Sequence, residues 1–331
     1  MKERSISANG FHLMSRRPAL LGSLFAVNLA LGAMASIVPR AMFSPVLDHS
    51  LHSVELVSGF SGSAFVELAS RPDISLGLLL TQSYLFAFLY LVFTLFVAGG
   101  VVTVYSEDRS LGFAEFFEAS GRYFLRMVRL ALLAVVPFTA LAFAVGTLSG
   151  IAFALGDSPT RPRTGFYVFV AGIALLYLFA LLVRAWFDVA QARMIDRSEF
   201  SVIRMVLGTL ETVMRRSPVL VWTYLKISAL SWLLYGAILW IWLNQSHAAV
   251  GRSIVLFEAM LVISLAARLW QRAAAITCYH RYFVAEDVHL LLEPRMQTPT
   301  AQPETPGPTA DSQPEAPSEP AVPQDAGHSA L

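Results

Sequence analysis

Cysteine occurs once in this chain, at Cys278, and lysine twice, at Lys2 and Lys226. A single cysteine excludes an intramolecular disulfide and any cysteine-rich metal pattern. Cys278 ends an apolar run and reads as a small buried or interfacial residue; acylation of a juxtamembrane thiol is the alternative. Charge is scarce as well. Only 14% of residues are Asp, Glu, Lys or Arg, against roughly a quarter in a soluble domain. The chain has no Gly-rich phosphate loop, no His-Glu-x-x-His zinc pattern and no Gly-x-Ser-x-Gly elbow. No cofactor is expected, and Gly99-Gly100 reads as a point where helices approach or bend. The basic residues sit beside apolar runs and form no domain of their own, which argues against a nucleic-acid partner.

Apolar sequence is what the chain has in abundance: 56% of residues are hydrophobic, with mean hydropathy +0.59. A helix needs about 20 apolar residues to cross the hydrocarbon, where lipid offers no partner to free backbone groups. Six stretches qualify, at about 18–38, 76–97, 130–153, 166–183, 224–243 and 253–276. The expected fold is therefore all-α, a polytopic transmembrane helical bundle of about six spans.

The arginines give the bundle a direction. The N-terminal arm (1–17), the second and fourth connections and the C-terminal side carry 18 Lys and Arg, while the other connections carry five. The positive-inside rule then places the first group, and both termini, in the cytoplasm of a cell with a multi-pass protein in its inner or plasma membrane. Arg exceeds Lys by 22 to 2, a bias common in GC-rich bacterial genomes. One alternative touches the first span. Basic residues, an apolar run and Ala33-Met34-Ala35 resemble a cleaved secretory signal. The run continues to Val38, which favours an uncleaved span. In the fifth span Trp222 and Tyr224 mark one interface and Trp240 and Trp242 the other, so Lys226 can snorkel.

Two connections look alike. Asp108-Arg109-Ser110 and Asp196-Arg197-Ser198 lie 88 residues apart, each after a span and each positioned to cap a new helix. The following segments, about 110–129 and 198–216, are amphipathic. Phe113, Phe117, Ser120, Phe124 and Met127 form the first apolar stripe, with Phe116 alongside. Ile203, Val206, Leu207, Leu210 and Met214 form the second. Both suit helices lying at the headgroups, with Arg122, Arg126 and Arg129, and Arg204, Arg215 and Arg216, as contacts for anionic lipid or a protein partner. Glu118–Arg122 and Glu211–Arg215 have i,i+4 spacing. The shared order of elements suggests a duplicated unit.

This pattern is similar to that of poorly characterised bacterial six-span proteins. It resembles the membrane domain attached to some glycerophosphodiester phosphodiesterases. The residues that carry the resemblance are the run ending Gly99-Gly100 before Tyr105, Phe116-Phe117, Arg122-Tyr123-Phe124 and the second elbow. It covers about 76–283 and implies architecture only, because the phosphodiesterase domain is absent from this sequence. After Pro294 the chain is Pro-rich, carries five acids and no Lys or Arg beyond Met296, and reads as a disordered cytoplasmic tail with a possible partner.

Ionisable and polar residues inside spans are the default functional candidates. Glu258 is the first, with a polar cavity set against proximity to the outer headgroups. Asn28 and Gln82 read as packing groups that hydrogen-bond between helices. Arg184 and Asp188, four residues apart, read as an ion pair on one helix. Asp48, His52 and Glu55 would share a helical face, but the wet side of a surface helix is favoured there over a metal site. The leading expectation is a non-catalytic scaffold or accessory protein working through its cytoplasmic helices. A small-molecule or lipid transporter is the alternative, and an intramembrane enzyme ranks last.

Overall fold

Helices long enough to span a bilayer dominate the chain, and their order follows the hydropathy. The computed structural model describes residues 5–47, 66–67, 70–71, 74–109, 111–157, 162–197, 202–244 and 250–284. The acidic tail, Ser110, Ser198 and the Asp48, His52, Glu55 trio lie outside the described residues. Eight α-helices and no strand occur among those described: α1 (Ile6–Ser15), α2 (Pro18–Leu47), α3 (Leu76–Ser106), α4 (Phe113–Gly156), α5 (Pro162–Arg197), α6 (Val202–Arg215), α7 (Ser217–Leu243) and α8 (Val250–Tyr279). A π turn, His280–Val284, follows α8. Six of these helices, α2, α3, α4, α5, α7 and α8, are apolar and long enough to cross a membrane, so the chain is a multi-pass transmembrane helical bundle.

The core sits at one end of the bundle, the end that carries most of the arginines. It is built from Val97–Tyr105 of α3, 185–195 of α5, Leu220–Ile227 of α7 and 273–279 of α8. Small residues make this close packing possible, as they do between helices in lipid generally. Ala185, Ala190, Ala192, Ala273, Ala274 and Ala275 have no exposed surface. At the Gly99-Gly100 pair, a Cβ on Gly100 would meet Ser120 Oγ at 2.5 Å and the Phe116 ring at 2.7 Å. The two glycines thus let α3 and α4 approach, as their sequence suggests. Toward the other end the same helices expose Tyr84, Phe88, Phe143, Leu175, Leu233 and Trp240, a surface suited to lipid.

Two features depart from the sequence reading. The first is α1, which the N-terminal arm does not advertise. Ser5 caps it by accepting from the Ala8 N–H at 3.3 Å. It lies on α8 so closely that a Cβ on Gly10 would come within 2.8 Å of the Ala274 backbone. Trp270 Nε1 donates to the Ser7 carbonyl at 2.8 Å, and its ring meets Phe11 edge-on.

The second concerns the amphipathic segments. The first does not break from its span; α4 runs unbroken for 44 residues. The later part of its stripe packs on α3, with Ser120 and Met127 buried and Phe117 and Phe124 both 6.0 Å from Phe96, while Phe113 is exposed. The second is a separate helix, α6, because Pro218 opens α7 in its first turn. Proline has no N–H to continue a ladder but suits a new helix start. No proline lies between Phe113 and Arg129, so nothing interrupts α4 there. The buried face of α6 is Val202, Met205, Val206, Thr209 and Val213, while Ile203, Leu207 and Met214 point outward. Trp186 Nε1 donates to the Val206 carbonyl at 3.0 Å and ties α6 to α5.

Candidate functional site

Residues four apart on a helix share a face, and two helices use this spacing to carry charge toward each other. Arg184 and Asp188 do so on α5, and Arg268 and Arg272 on α8. With Leu24 and Asn28 of α2, Tyr90, Phe93, Thr94 and Val97 of α3, Phe138 of α4, and Leu265 and Leu269 of α8, they line a cavity of about 510 Å³ between the spanning helices. Arg268 is roughly 16 Å along α8 from that helix's last residue, at 1.5 Å per residue.

Asp188 is almost fully buried. It accepts a hydrogen bond from the Tyr224 hydroxyl at 2.7 Å, and Arg272 Nε stands 4.0 Å from its other oxygen. The ion pair expected between Arg184 and Asp188 is therefore not formed; the carboxylate turns across the bundle to α7 and α8. Gln271 extends this polar layer, donating to Ser228 Oγ at 3.1 Å. Among the described residues neither Arg184 nor Arg268 has an anionic partner. The cavity thus holds three guanidinium groups against one carboxylate, a net of +2. Guanidinium stays protonated in proteins, and each one costs about 2.5–3.5 kcal/mol at a bilayer centre on insertion scales. An excess of fixed positive charge in a walled cavity favours an anion. The planar fork of arginine matches phosphate and carboxylate oxygens in pairs.

A second recess, about 540 Å³, lies further toward the arginine-rich end. It is lined by Asn9, Leu13, Tyr105, Ser106, Asp108, Ile276, Thr277, His280 and Arg281. Ile276 is one turn beyond Arg272, and Tyr105 two turns beyond Val97. The Tyr105 hydroxyl and Ser106 Oγ are buried there without a hydrogen-bond partner among the described residues.

At the first elbow Asp108 ends a helix rather than capping the next one. Asp108 follows the last turn of α3 with φ of 45°, a left-handed conformation that Asp tolerates better than most residues. It pairs with Arg17 at 3.0 Å and more loosely with Arg16 at 3.9 Å. Arg17 also donates to the Val104 carbonyl, one of the unpaired carbonyls at the end of α3. The cap of α4 is Gly112, whose N–H donates to Glu115 at 3.2 Å. Arg109 pairs with Glu107 at 2.7 Å, and that carboxylate holds its guanidinium above the ordinary value. Asp196 accepts from the Tyr279 hydroxyl at 2.9 Å. Arg197 has no described side chain.

The other candidates fall in different places. Asn28 lines the arginine cavity while its Nδ2 donates to the Leu24 carbonyl of its own helix at 2.7 Å. Gln82 Nε2 donates to the Ala35 carbonyl at 2.7 Å and joins α3 to α2, the packing role expected of it. Glu258 does not line the cavity; it stands roughly 15 Å along α8 from Arg268, with Oε2 buried and unpaired among the described residues. Arg122 and Arg215 form exposed i,i+4 pairs with Glu118 and Glu211, at 2.7 and 2.8 Å. Arg126 stacks over Tyr123 and Arg216 over Tyr282; Arg129 and Arg204 are exposed. Lys226 lies over the Trp222 ring at 5.1 Å and is exposed, as a snorkelling lysine would be. Cys278 is fully buried, which fits the small core residue and leaves no thiol for acylation in this arrangement.

Sequence reasoning missed the partnership of Arg184, Arg268 and Arg272. The available signal was the repeated i,i+4 spacing of charge on two apolar helices. Comparison with protein-family models, with curated proteins and with solved structures gives no match.

Proposed function

We propose that this chain is a transporter or permease that binds an anionic solute in its arginine cavity. The observation that carries the reading is the uncompensated +2 charge among Arg184, Asp188, Arg268 and Arg272 in a cavity walled by spanning helices. The ligand class is a small phosphate- or carboxylate-bearing solute, since those oxygens match the guanidinium fork. The second recess supports the reading, because it lies beyond the cavity toward the arginine-rich end and offers the Tyr105 and Ser106 hydroxyls, which have no hydrogen-bond partner among the described residues. The Lys and Arg bias supports placing that end, and both termini, in the cytoplasm of an inner or plasma membrane.

The direct test is anion-dependent stabilisation and flux. Inorganic phosphate, glycerol phosphate and citrate are titrated into the purified protein and offered to proteoliposomes containing it alone. At least one should stabilise the wild type and cross the membrane, and Arg184→Gln combined with Arg268→Gln should lose both effects. Equal responses from wild type and double variant would remove the proposal.

One observation favours a second reading, a scaffold that acts through its interfacial helix. Ile203, Leu207 and Met214 of α6 are exposed beside Arg204 and Arg215, a surface that suits anionic headgroups or a partner protein. If Ile203→Ser with Leu207→Ser abolishes the cellular phenotype while the arginine-cavity variants leave it intact, this second reading prevails.

A further inference from the structure

The first spanning helix is attached to the bundle along a narrow line. No residue of the most apolar stretch of α2 is buried, and Leu24 meets α3 beside Phe93 and Val97, the three residues that line both the arginine cavity and a separate groove. That groove has a volume of about 340 Å³ and runs between α2 and the start of α4. Its walls are Leu20, Leu24 and Val27 of α2, Phe93 of α3, and Phe116 and Phe117 of α4. Its mouth carries charge. Arg17 there is committed to the Val104 carbonyl and to Asp108. Arg16 has 60% of its side chain exposed and, among the described residues, only the 3.9 Å approach to Asp108. With two guanidinium groups and one carboxylate, the mouth is left with a net positive charge.

We propose that this groove holds one acyl chain of an anionic membrane lipid, with the lipid headgroup resting on Arg16. The polarity runs in the direction a bilayer lipid requires. The basic mouth lies at the end of α3, where the apolar sequence gives way to Glu107 and Asp108, and the aromatic and aliphatic walls run inward from it toward Val27 and Phe93. A crevice at that depth, open beside an exposed helix, is bathed by lipid chains. Basic pockets between spanning helices select anionic headgroups. The site is distinct from the arginine cavity, whose anion needs no chain, and either can fail without the other.

The test measures lipid retained by the purified full chain. Protein is delipidated in detergent and offered phosphatidylglycerol or phosphatidylcholine of identical chains, and bound lipid is counted by native mass spectrometry. The wild type should hold one phosphatidylglycerol about fivefold more strongly than phosphatidylcholine, the effect of one basic residue near a membrane surface. Arg16→Gln should erase that preference while leaving chain binding. Ala19→Trp, which fills the groove from an exposed position on its wall, should remove both lipids. Arg252→Gln, exposed at the start of α8 and away from the groove, should change neither. Equal retention of the two lipids by the wild type would overturn the proposal. So would an Ala19→Trp protein that melts as the wild type does yet keeps its lipid. Concentration-dependent dimerisation lost in Ala19→Trp, with no lipid retained by the wild type, would assign the groove to a second copy of the chain and also overturn it.

Discussion

The Tyr224 hydroxyl donates to Asp188 at 2.7 Å from the facing helix, and this hydrogen bond holds in place the only carboxylate among the described residues that line the arginine cavity. Asp188 does two things from there. It orients toward Arg272, and it lowers the positive charge that Arg184 and Arg268 would otherwise face unopposed. Removing the hydroxyl and removing the carboxylate should therefore have different consequences. Tyr224→Phe strips one hydrogen bond from a buried charge, worth about 1.5–3 kcal/mol. Asp188→Ala leaves Arg272 without its counter-charge, and breaking a buried pair in this way costs about 3–5 kcal/mol. Thermal unfolding in detergent should rank the wild type above Tyr224→Phe, and that above Asp188→Ala. Added phosphate should restore part of the loss in Asp188→Ala, where an anion can replace the missing carboxylate. A protein in which Tyr224→Phe is the more damaging change would show that Asp188 does not offset the arginines.

Glu258 gives the complementary negative prediction. It is the ionisable group that hydropathy singles out inside the sixth span, yet it does not line the cavity. Glu258→Gln should leave anion binding within about twofold of the wild type, which is less than 0.5 kcal/mol. A tenfold loss would mean that the solute route extends along α8 toward its N-terminal half.

The contrast between Glu258 and the arginines shows how far the sequence could be read. Each spanning helix was legible because lipid imposes a simple requirement: about 20 apolar residues with their backbone satisfied internally. That requirement acts on one segment at a time. The cavity depends instead on which faces of α5 and α8 meet, and nothing in either segment alone encodes the pairing. Counted as topology markers, Arg184, Arg268 and Arg272 are indistinguishable from loop arginines. The helix α1 was missed for a related reason. Its ten residues have weak amphipathicity, and what fixes it is the contact of Gly10 and Phe11 with α8. The first elbow shows the same limit: Asp108 faces Arg17, 91 residues away, rather than the next helix, and no local spacing encodes that partner.

Two glycines in spanning helices should respond in opposite directions to the same substitution. A methyl group on Gly100 would press on Ser120 and Phe116, and overpacking of this kind costs about 1–3 kcal/mol. Gly22 has nothing within 4 Å of the position a Cβ would take. Alanine there should stabilise α2 by up to about 1 kcal/mol through helix propensity. Unfolding midpoints of Gly100→Ala and Gly22→Ala in one detergent test both at once. If both shift alike, the close approach of α3 and α4 is not what Gly100 provides.

The orientation of the bundle can be read with the cysteine that the chain already contains. Cys278 is buried in the core, so a membrane-impermeant maleimide should leave the native protein unlabelled in intact cells and label it only after denaturation. Cys278→Ser exchanges a small buried residue for another of similar size and should give a folded, thiol-free background. Single cysteines are then introduced at Ser15, exposed at the end of α1, and at Asn244, exposed at the end of α7. With the arginine-rich end in the cytoplasm, Asn244→Cys should react from outside, and Ser15→Cys only once the membrane is permeabilised. The reverse pattern would turn the bundle over. The arginine cavity would then open toward the opposite compartment, and the direction from which an anion reaches Arg272 would change with it.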